Sequence, residues 1–257
     1  MQLPQNSCQM RDHSKQDLMN GNYWKIWRAV GNCQVFQKVS ESLKEDRVFM
    51  MKAVTVNGHS LEYASEDLKS DKQFVLEIVK SKNGLALLYA SDDLKSDKEI
   101  VLEAVSMHGR AFEYASEDLK KDKQFVLEVV QQNGEVLEYT FIDLKQDKEV
   151  VLEAVKQKGC VLEYASDDLK SDKEVVLEAV KQDGFAFFYA SEPLKQDKEI
   201  VLEAIKQQFL NLASISTDEP TQIWDEVTNE YGLFSSISLE LTKDFMDEIN
   251  QIIEMSI

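Results

Sequence analysis

The chain has 257 residues, with 47 Asp and Glu against 29 Lys and Arg, so its formal net charge is −18. Such a negative field disfavours nucleic acids and anionic membranes as partners, because binding to either depends on Lys and Arg side chains. The hydrophobic fraction of 43% is ordinary for a folded protein, and no apolar run approaches the ~20 residues of a membrane-spanning helix.

The first residues lack the apolar segment of a signal peptide. Cys8, Cys33 and Cys160 show no paired spacing, so we expect free thiols in a reducing compartment. These features predict a cytoplasmic protein without a nucleic-acid or membrane partner.

Residues 1–20 are polar and unpatterned and are predicted to form a flexible N-terminus. Residues 21–45 resemble a degenerate copy of the repeat that follows, with Cys33 in place of a glycine. We interpret this segment as a capping repeat, because the outer face of a terminal repeat has no neighbour. Trp24 and Trp27 are expected to be buried in this cap; the alternative is that they are exposed binding aromatics.

From residue 46 to about residue 208 the chain repeats itself every 25 residues, with one interval of 26. The Asp of an Asp-Lys pair recurs at Asp71, Asp97, Asp122, Asp147, Asp172 and Asp197. A glycine recurs at Gly58, Gly84, Gly109, Gly134, Gly159 and Gly184. This period is the main signal for the fold.

Each repeat is predicted to contain two helices. Asp172 can cap the first helix, and Val176, Ala179 and Val180 recur at the spacing of one helical face. Gly184 is predicted to end this helix in the left-handed conformation, and a second apolar stripe follows it. Neither helix is long enough to be stable alone, so the repeats must pack on one another. The predicted fold is all-α, an α-solenoid of stacked 25-residue helix-turn-helix repeats with atypical capping helices at both ends.

Residues 209–257 lack the repeat and are predicted to be C-terminal capping helices. Phe209 stands at the glycine position of the last copy, so the helix before it is expected to continue toward Leu212. A loop is predicted from Ser214 to Pro220, followed by amphipathic helices.

Repeated positions form rows of like side chains along a solenoid. One row on the first helix contains Glu77, Glu103, Glu128, Glu153, Glu178 and Glu203. Two interpretations stay open, a solvated face paired with lysines of the same or the next repeat, and an acidic strip that attracts a basic partner. A row of tyrosines on the second helix is expected to pack between helices with the hydroxyls at the rim, or else to anchor a partner.

Positions that depart from the repeat are candidate sites, because the architecture already explains the shared ones. They are Arg110, Phe141 with Ile142, the aromatic residues Phe185, Phe187 and Phe188, and Pro193. Phe141 and Ile142 replace a serine and an acidic residue of the other repeats. They form either an exposed apolar patch or the filling of a gap against the next repeat.

The sequence contains no pattern typical of catalysis or metal binding. The three histidines are far apart in the sequence. The residue spacing of a calcium-binding loop is missing, and so are the motifs of a phosphate-binding loop and a nucleophile elbow. We therefore predict a non-enzymatic protein with no catalytic residues, no cofactor and no metal.

The segments Ala-Val-x-x-x-Gly at 154–159 and Tyr-Ala-Ser at 164–166 occur together in this repeat. They resemble the family named domain of unknown function 4116, which forms tandem arrays in protist and bacterial proteins. The resemblance runs from about Asp46 to Leu202 and leaves out the degenerate front copy and the tail from about Phe209. It implies a helical array and, by analogy, a secreted bacterial effector.

The sequence predicts a scaffold or adaptor that binds a protein or peptide of basic character and acts as a monomer. The predicted partner-binding residues are Glu77, Glu103, Glu128, Glu153, Glu178, Arg110, Phe141 and Ile142. The alternative is an effector, or a regulator of one, that reaches a host cytosol by a non-classical route, with the C-terminal tail as its export signal.

Overall fold

The computed structural model describes residues 39–81, 84–215 and 251. The chain divides into two compact units, Met1–Met107 and His108–Ile257. The predicted flexible N-terminus and most of the N-terminal capping repeat lie outside the described residues. The same holds, except for residue 251, for the predicted capping helices and export signal beyond Ile215.

Every described element is helical. Each repeat consists of a long α-helix, a 3₁₀ helix and a third, short element, which is an α-helix in every described repeat but the last. We number the repeats 1 (46–70), 2 (71–96), 3 (97–121), 4 (122–146), 5 (147–171) and 6 (172–196). The long helices are Arg47–Val56, Lys72–Lys80, Lys98–Met107, Lys123–Gln132, Lys148–Gln157, Lys173–Gln182 and, after repeat 6, Lys198–Ile215.

The other two elements are shorter. The 3₁₀ helices are Gly58–Tyr63, Gly84–Tyr89, Gly109–Tyr114, Gly134–Tyr139, Gly159–Tyr164 and Gly184–Tyr189. The short helices are Glu41–Lys44, Glu66–Ser70, Asp92–Lys95, Glu117–Lys121, Ile142–Lys145 and Asp167–Lys170, and repeat 6 has a 3₁₀ turn, Leu194–Gln196, at that place. The first unit therefore ends with the long helix of repeat 3, and the second begins with its 3₁₀ helix.

The predicted start of the long helices is confirmed. Asp172 Oδ1 accepts the backbone N–H groups of Glu174 at 3.0 Å and Val175 at 3.2 Å. These are two of the donors that the first turn of a helix leaves without an internal partner. The predicted apolar face is buried as well, since Val176 and Ala179 have no exposed surface.

The prediction of a single second helix in each repeat is wrong. In repeat 5 the 3₁₀ helix Gly159–Tyr164 ends at Ala165, and the short helix begins after Ser166. Both residues between the helices have extended backbone, with ψ of 158° and 157°. Ser166 Oγ accepts the Leu169 N–H at 3.4 Å, and an N-cap serine adopts this extended conformation, so it starts a new helix.

The predicted role of the glycines is also wrong. The long helix of repeat 4 ends at Gln132, Asn133 is extended with φ −153°, and Gly134 begins the 3₁₀ helix. Its φ lies outside the left-handed region. A Cβ at Gly134 would lie 2.5 Å from the carbonyl oxygen of Ala154 in repeat 5. Glycine is therefore needed here for close contact with the next repeat.

The expectation that the last long helix passes Phe209 is confirmed, since this helix spans Lys198–Ile215. It includes Leu212 and also Ser214, which the sequence had placed at the start of a loop. None of the described helices is long and apolar enough to cross a membrane.

In the second unit the repeats stack in chain order as an α-solenoid. Neighbouring long helices pack side by side, and neighbouring 3₁₀ helices also contact one another. The 3₁₀ helices of repeats 4, 5 and 6 pack against the long helix that follows in the stack. The core between these layers contains fully buried valine, leucine and phenylalanine side chains, among them Val150, Leu162 and Phe187. In the first unit, Phe49, Met50 and Phe74 belong to a core of the same kind.

From repeat 4 to the last long helix, successive junctions have the same polar contacts. Lys123 Nζ lies 2.7 Å from Asp147 Oδ2 and 2.8 Å from Glu149 Oε2 of the next repeat. Equivalent pairs join Lys148 to Asp172 and Lys173 to Asp197. Lysine side chains thus reach the capped start of the next long helix, where their partners are one capping and one first-turn carboxylate.

Candidate protein-binding face

The 3₁₀ helices expose two positions of each repeat next to each other. A 3₁₀ helix has 3.0 residues per turn, so residues i and i+3 are eclipsed. In the second unit the residue after each glycine and the residue three further on form two adjacent columns. We call this surface the variable face; its residues are Arg110, Glu113, Glu135, Glu138, Cys160, Glu163, Phe185 and Phe188, all exposed or half-buried.

The variable face differs between repeats whose long helices are identical. The helices Lys148–Gln157 and Lys173–Gln182 have the same ten-residue sequence. In the 3₁₀ helices that follow them, Cys160 of repeat 5 is replaced by Phe185 in repeat 6, and Glu163 by Phe188. The scaffold is therefore repeated while this exposed surface changes.

In the 3₁₀ helices of repeats 4 and 5, a tyrosine directly follows the carboxylate of the variable face, as Glu138-Tyr139 and Glu163-Tyr164. Burial, followed by a hydrogen bond with Glu138, raises the pKa of Tyr139 to about 12. The pKa of Tyr164 is also raised, first by burial and then by the charges of Glu138 and Glu163. These tyrosines are half-buried and stay protonated at neutral pH, so their hydroxyls are available as hydrogen-bond donors to the carboxylates.

Two basic side chains on this surface are paired with acids. Arg110 Nε lies 3.1 Å from Glu113 Oε2, and this hydrogen bond raises the pKa of Arg110. Lys158 Nζ lies 2.5 Å from Glu135 Oε1. Burial, together with the charges of Asp183 and Glu135, raises the pKa of the Cys160 thiol, which disfavours the reactive thiolate.

Aromatic side chains form the last part of the variable face. Phe185 and Phe188 are 39% and 41% exposed, whereas Phe187 between them is fully buried. The sequence grouped all three as one departure from the repeat, and the structure separates them. An acidic stretch therefore ends at two exposed aromatic rings.

The corresponding positions of the first unit have a different character. His59 Nδ1 lies 2.6 Å from the Tyr89 hydroxyl, and Leu85 is 37% exposed. Together with Glu62, these residues show that the same two columns also change from repeat to repeat in this unit.

The predicted row of glutamates lies on the long helices, away from the 3₁₀ helices. Glu77 and Glu128 are exposed, whereas Glu103, Glu153 and Glu178 are half-buried. Glu153 Oε2 is 3.7 Å from Lys156 of its own helix, and Glu77 is 3.3 Å from Arg47 of the preceding repeat. This row therefore belongs to a different element of the repeat than Arg110, which is on a 3₁₀ helix.

Phe141 and Ile142 lie at a third place, the start of the short helix of repeat 4. Ile142 is 62% exposed, and Phe141 is half-buried with Lys121 Nζ 4.8 Å from its ring centre. Ile142 thus forms an exposed apolar patch, while Phe141 packs in part. Ile142 also occupies the position from which an acid pairs with a lysine in other repeats, and Lys145 bonds instead to the Glu138 carbonyl oxygen at 2.7 Å.

Sequence reasoning missed the pairing of the two columns, because it assumed one ordinary helix after the glycine. A signal was present: the residue after the glycine is different in every copy, namely His59, Leu85, Arg110, Glu135, Cys160 and Phe185. Within the described part of the chain, no group of three or more His, Cys, Asp or Glu side chains could hold a metal ion.

A protein-family model described as Domain of unknown function (DUF4116) matches residues 26–69, 49–95, 71–120, 122–170 and 172–219. These segments reach beyond the predicted limits of the resemblance at both ends. Each spans roughly two 25-residue repeats, and the matches beginning at 71, 122 and 172 start at a capping aspartate. No curated protein and no solved structure matches the chain. Because the family model covers well over half of the sequence, the chain belongs to the DUF4116 family.

Proposed function

We propose that this protein is a non-enzymatic scaffold that binds a protein partner through the variable face of its second unit. The observation that carries the proposal is the contrast between repeats 5 and 6. Their long helices are identical, yet the exposed residues of their 3₁₀ helices differ in size, charge and polarity. Stacked repeats commonly use an extended repeated surface for binding.

The charge of this surface favours a partner of basic character. Glu113, Glu138 and Glu163 are exposed on successive 3₁₀ helices, and the whole chain carries a net charge of −18. Complementary charge speeds encounter and selects orientation. The tyrosine hydroxyls beside the carboxylates add hydrogen-bonding groups, and Phe185 and Phe188 add apolar area. Such a mixed surface suits a protein better than a nucleic acid or a membrane.

The test compares two sets of charge-neutralising substitutions that remove the same number of carboxylates. The first set, Glu113→Gln with Glu138→Gln and Glu163→Gln, is on the variable face. The second, Glu128→Gln with Glu153→Gln and Glu178→Gln, is on the long helices. Both variants and the wild-type chain are used for affinity capture from an extract of the source organism, with mass spectrometry and circular dichroism of each variant.

We expect a specific protein to be captured by the wild-type chain and the long-helix set and lost by the variable-face set. Equal capture by both sets, or loss only with the long-helix set, would exclude the variable face. Raising the ionic strength from about 0.05 M to about 0.5 M should weaken the interaction, because surface charges are screened over a Debye length of roughly 10 Å at 0.1 M salt. Binding that is insensitive to salt would remove the electrostatic part of the proposal.

A further inference from the structure

Phe185 and Phe188 form a fixed aromatic platform at the end of the variable face. Their ring centres are 6.3 Å apart and their planes are inclined by 27°, as expected for residues three apart on a 3₁₀ helix. Phe188 also contacts the buried Phe187 ring edge-on, at 5.9 Å and 77°. The platform is therefore held in place by the core, while Phe185 and Phe188 are each about two-fifths exposed as residues.

Two carboxylates border this platform. Asp183 Oδ1 accepts the backbone N–H of Phe185 at 3.0 Å, so this carboxylate lies next to the backbone of Phe185. Glu163 stands at the position of the preceding 3₁₀ helix that corresponds to Phe188, and these two 3₁₀ helices contact each other. After burial, the Glu163 charge raises the pKa of Tyr189, the residue after Phe188. The neighbouring cation, Lys158, is bound to Glu135 at 2.5 Å. The surface around the rings is thus negatively charged.

We propose that the Phe185–Phe188 platform, with Glu163 and Asp183 at its border, binds an arginine side chain of the protein partner. This inference rests on the protein-binding function proposed above and specifies its chemistry. An arginine guanidinium is planar, stacks on aromatic rings, is weakly hydrated and donates paired hydrogen bonds to carboxylates. A lysine ammonium is more strongly hydrated and lacks the planar face, so it binds more weakly. An aliphatic side chain would cover the rings but would bring no charged hydrogen-bond donor to either carboxylate.

The test is a nuclear magnetic resonance titration of the full chain, labelled with carbon-13 in its phenylalanine rings. The probes are three blocked peptides, acetyl-Gly-Arg-Gly-amide and its lysine and leucine counterparts. Phe185→Leu and Phe188→Leu each remove one aromatic ring, and the signal lost from the spectrum of each variant identifies that ring. Glu163→Gln removes a bordering charge, and Glu192→Gln, an exposed acid of the same repeat paired with Lys195 at 2.9 Å, is the matched control.

We expect the arginine peptide to shift the Phe185 and Phe188 signals in a saturable manner, and more tightly than the lysine peptide. Glu163→Gln and each leucine variant should weaken its binding about two- to fivefold, the range of an exposed cation–π contact, while Glu192→Gln should not. Leucine-peptide binding as tight as that of the arginine peptide would overturn the inference, as would equal effects of Glu163→Gln and Glu192→Gln. Either result would leave the protein-binding function to its own test with the two glutamate sets.

Discussion

Gly134 lies where the 3₁₀ helix of repeat 4 meets the long helix of repeat 5. A Cβ there would lie 2.5 Å from the Ala154 carbonyl oxygen, a backbone atom that cannot rotate away. We expect Gly134→Ala to lower the free energy of unfolding by about 1–3 kcal/mol, as overpacking usually does, in urea denaturation. The matched control is Glu135→Ala, which removes only an exposed ion pair with Lys158 and should cost about 0–1 kcal/mol. Equal midpoints for both variants would contradict the close-packing role.

The capping aspartates make stability depend on pH. Burial opposes ionisation of Asp147, but the Lys123 ammonium and the N–H groups of Val150 and Glu149 outweigh it and hold its pKa below the ordinary value. The unfolded chain therefore binds the proton more readily. The stabilisation that ionised Asp147 contributes is complete above the ordinary aspartate pKa of about 4, and it is lost as the pH falls through the folded-state pKa of Asp147.

A thermal-melting series from about pH 6 to about pH 3 checks this dependence. Asp147→Asn keeps a capping oxygen and removes the charge, so its Tm should fall less steeply with acidification than that of the wild-type chain. Parallel curves for the two proteins would exclude a contribution from the ionised Asp147.

The capping aspartates and Gly134 differ in how far the sequence could predict their structural roles. The cap formed by Asp172 was predictable, because its partners lie two and three residues along the same helix. The role of Gly134 was not, since the atom that excludes a Cβ belongs to Ala154 of another repeat. A local pattern cannot distinguish a glycine needed for its φ angle from one needed for close packing.

At the scale of elements, the 3₁₀ helix was the main feature that the sequence did not predict. In Gly159–Tyr164 the buried residues are Gly159, Val161 and Leu162, a pattern too short to separate 3.0 from 3.6 residues per turn. The capping Ser166 decides the outcome, because it follows the extended Ala165 and its Oγ accepts the Leu169 N–H, which starts a new helix. The rows of side chains were predictable from the period, but their pairing into two columns depends on the type of helix.

Ile142 lies on the short helix of repeat 4, and we expect its side chain to add nothing to stability. It is 62% exposed, so its replacement removes little packing. Ile142→Glu would place an acid in the first turn and three residues before Lys145, the arrangement of Glu117 and Lys120 at 3.2 Å. The free energy of unfolding should rise by up to about 0.5 kcal/mol, measured by chemical denaturation. A loss of stability would show that Ile142 belongs to the core.

At the scale of the second unit, each repeat contacts mainly its neighbours in the stack. Local damage should therefore spread over a short distance, because the stability of stacked repeats is a sum of repeat and interface terms. In hydrogen exchange on Gly134→Ala, the amides of Lys123–Gln132 and Lys148–Gln157 should lose more protection than those of Lys173–Gln182. Uniform loss across all three helices would indicate a single cooperative block.

The junction contacts have a consequence for how long such an array can be. Lys123 meets Asp147 as Lys148 meets Asp172, and the Ser166 N–H binds the Lys145 carbonyl as the Ser191 N–H binds that of Lys170. If residues 147–171 were excised, Asp172 would take the place of Asp147 as the partner of Lys123. The Ser191 N–H would likewise replace the Ser166 N–H as the donor to the Lys145 carbonyl. The lysine–aspartate and serine–carbonyl contacts would therefore be kept at the new joint, so an array of this kind can gain or lose whole 25-residue copies without losing them.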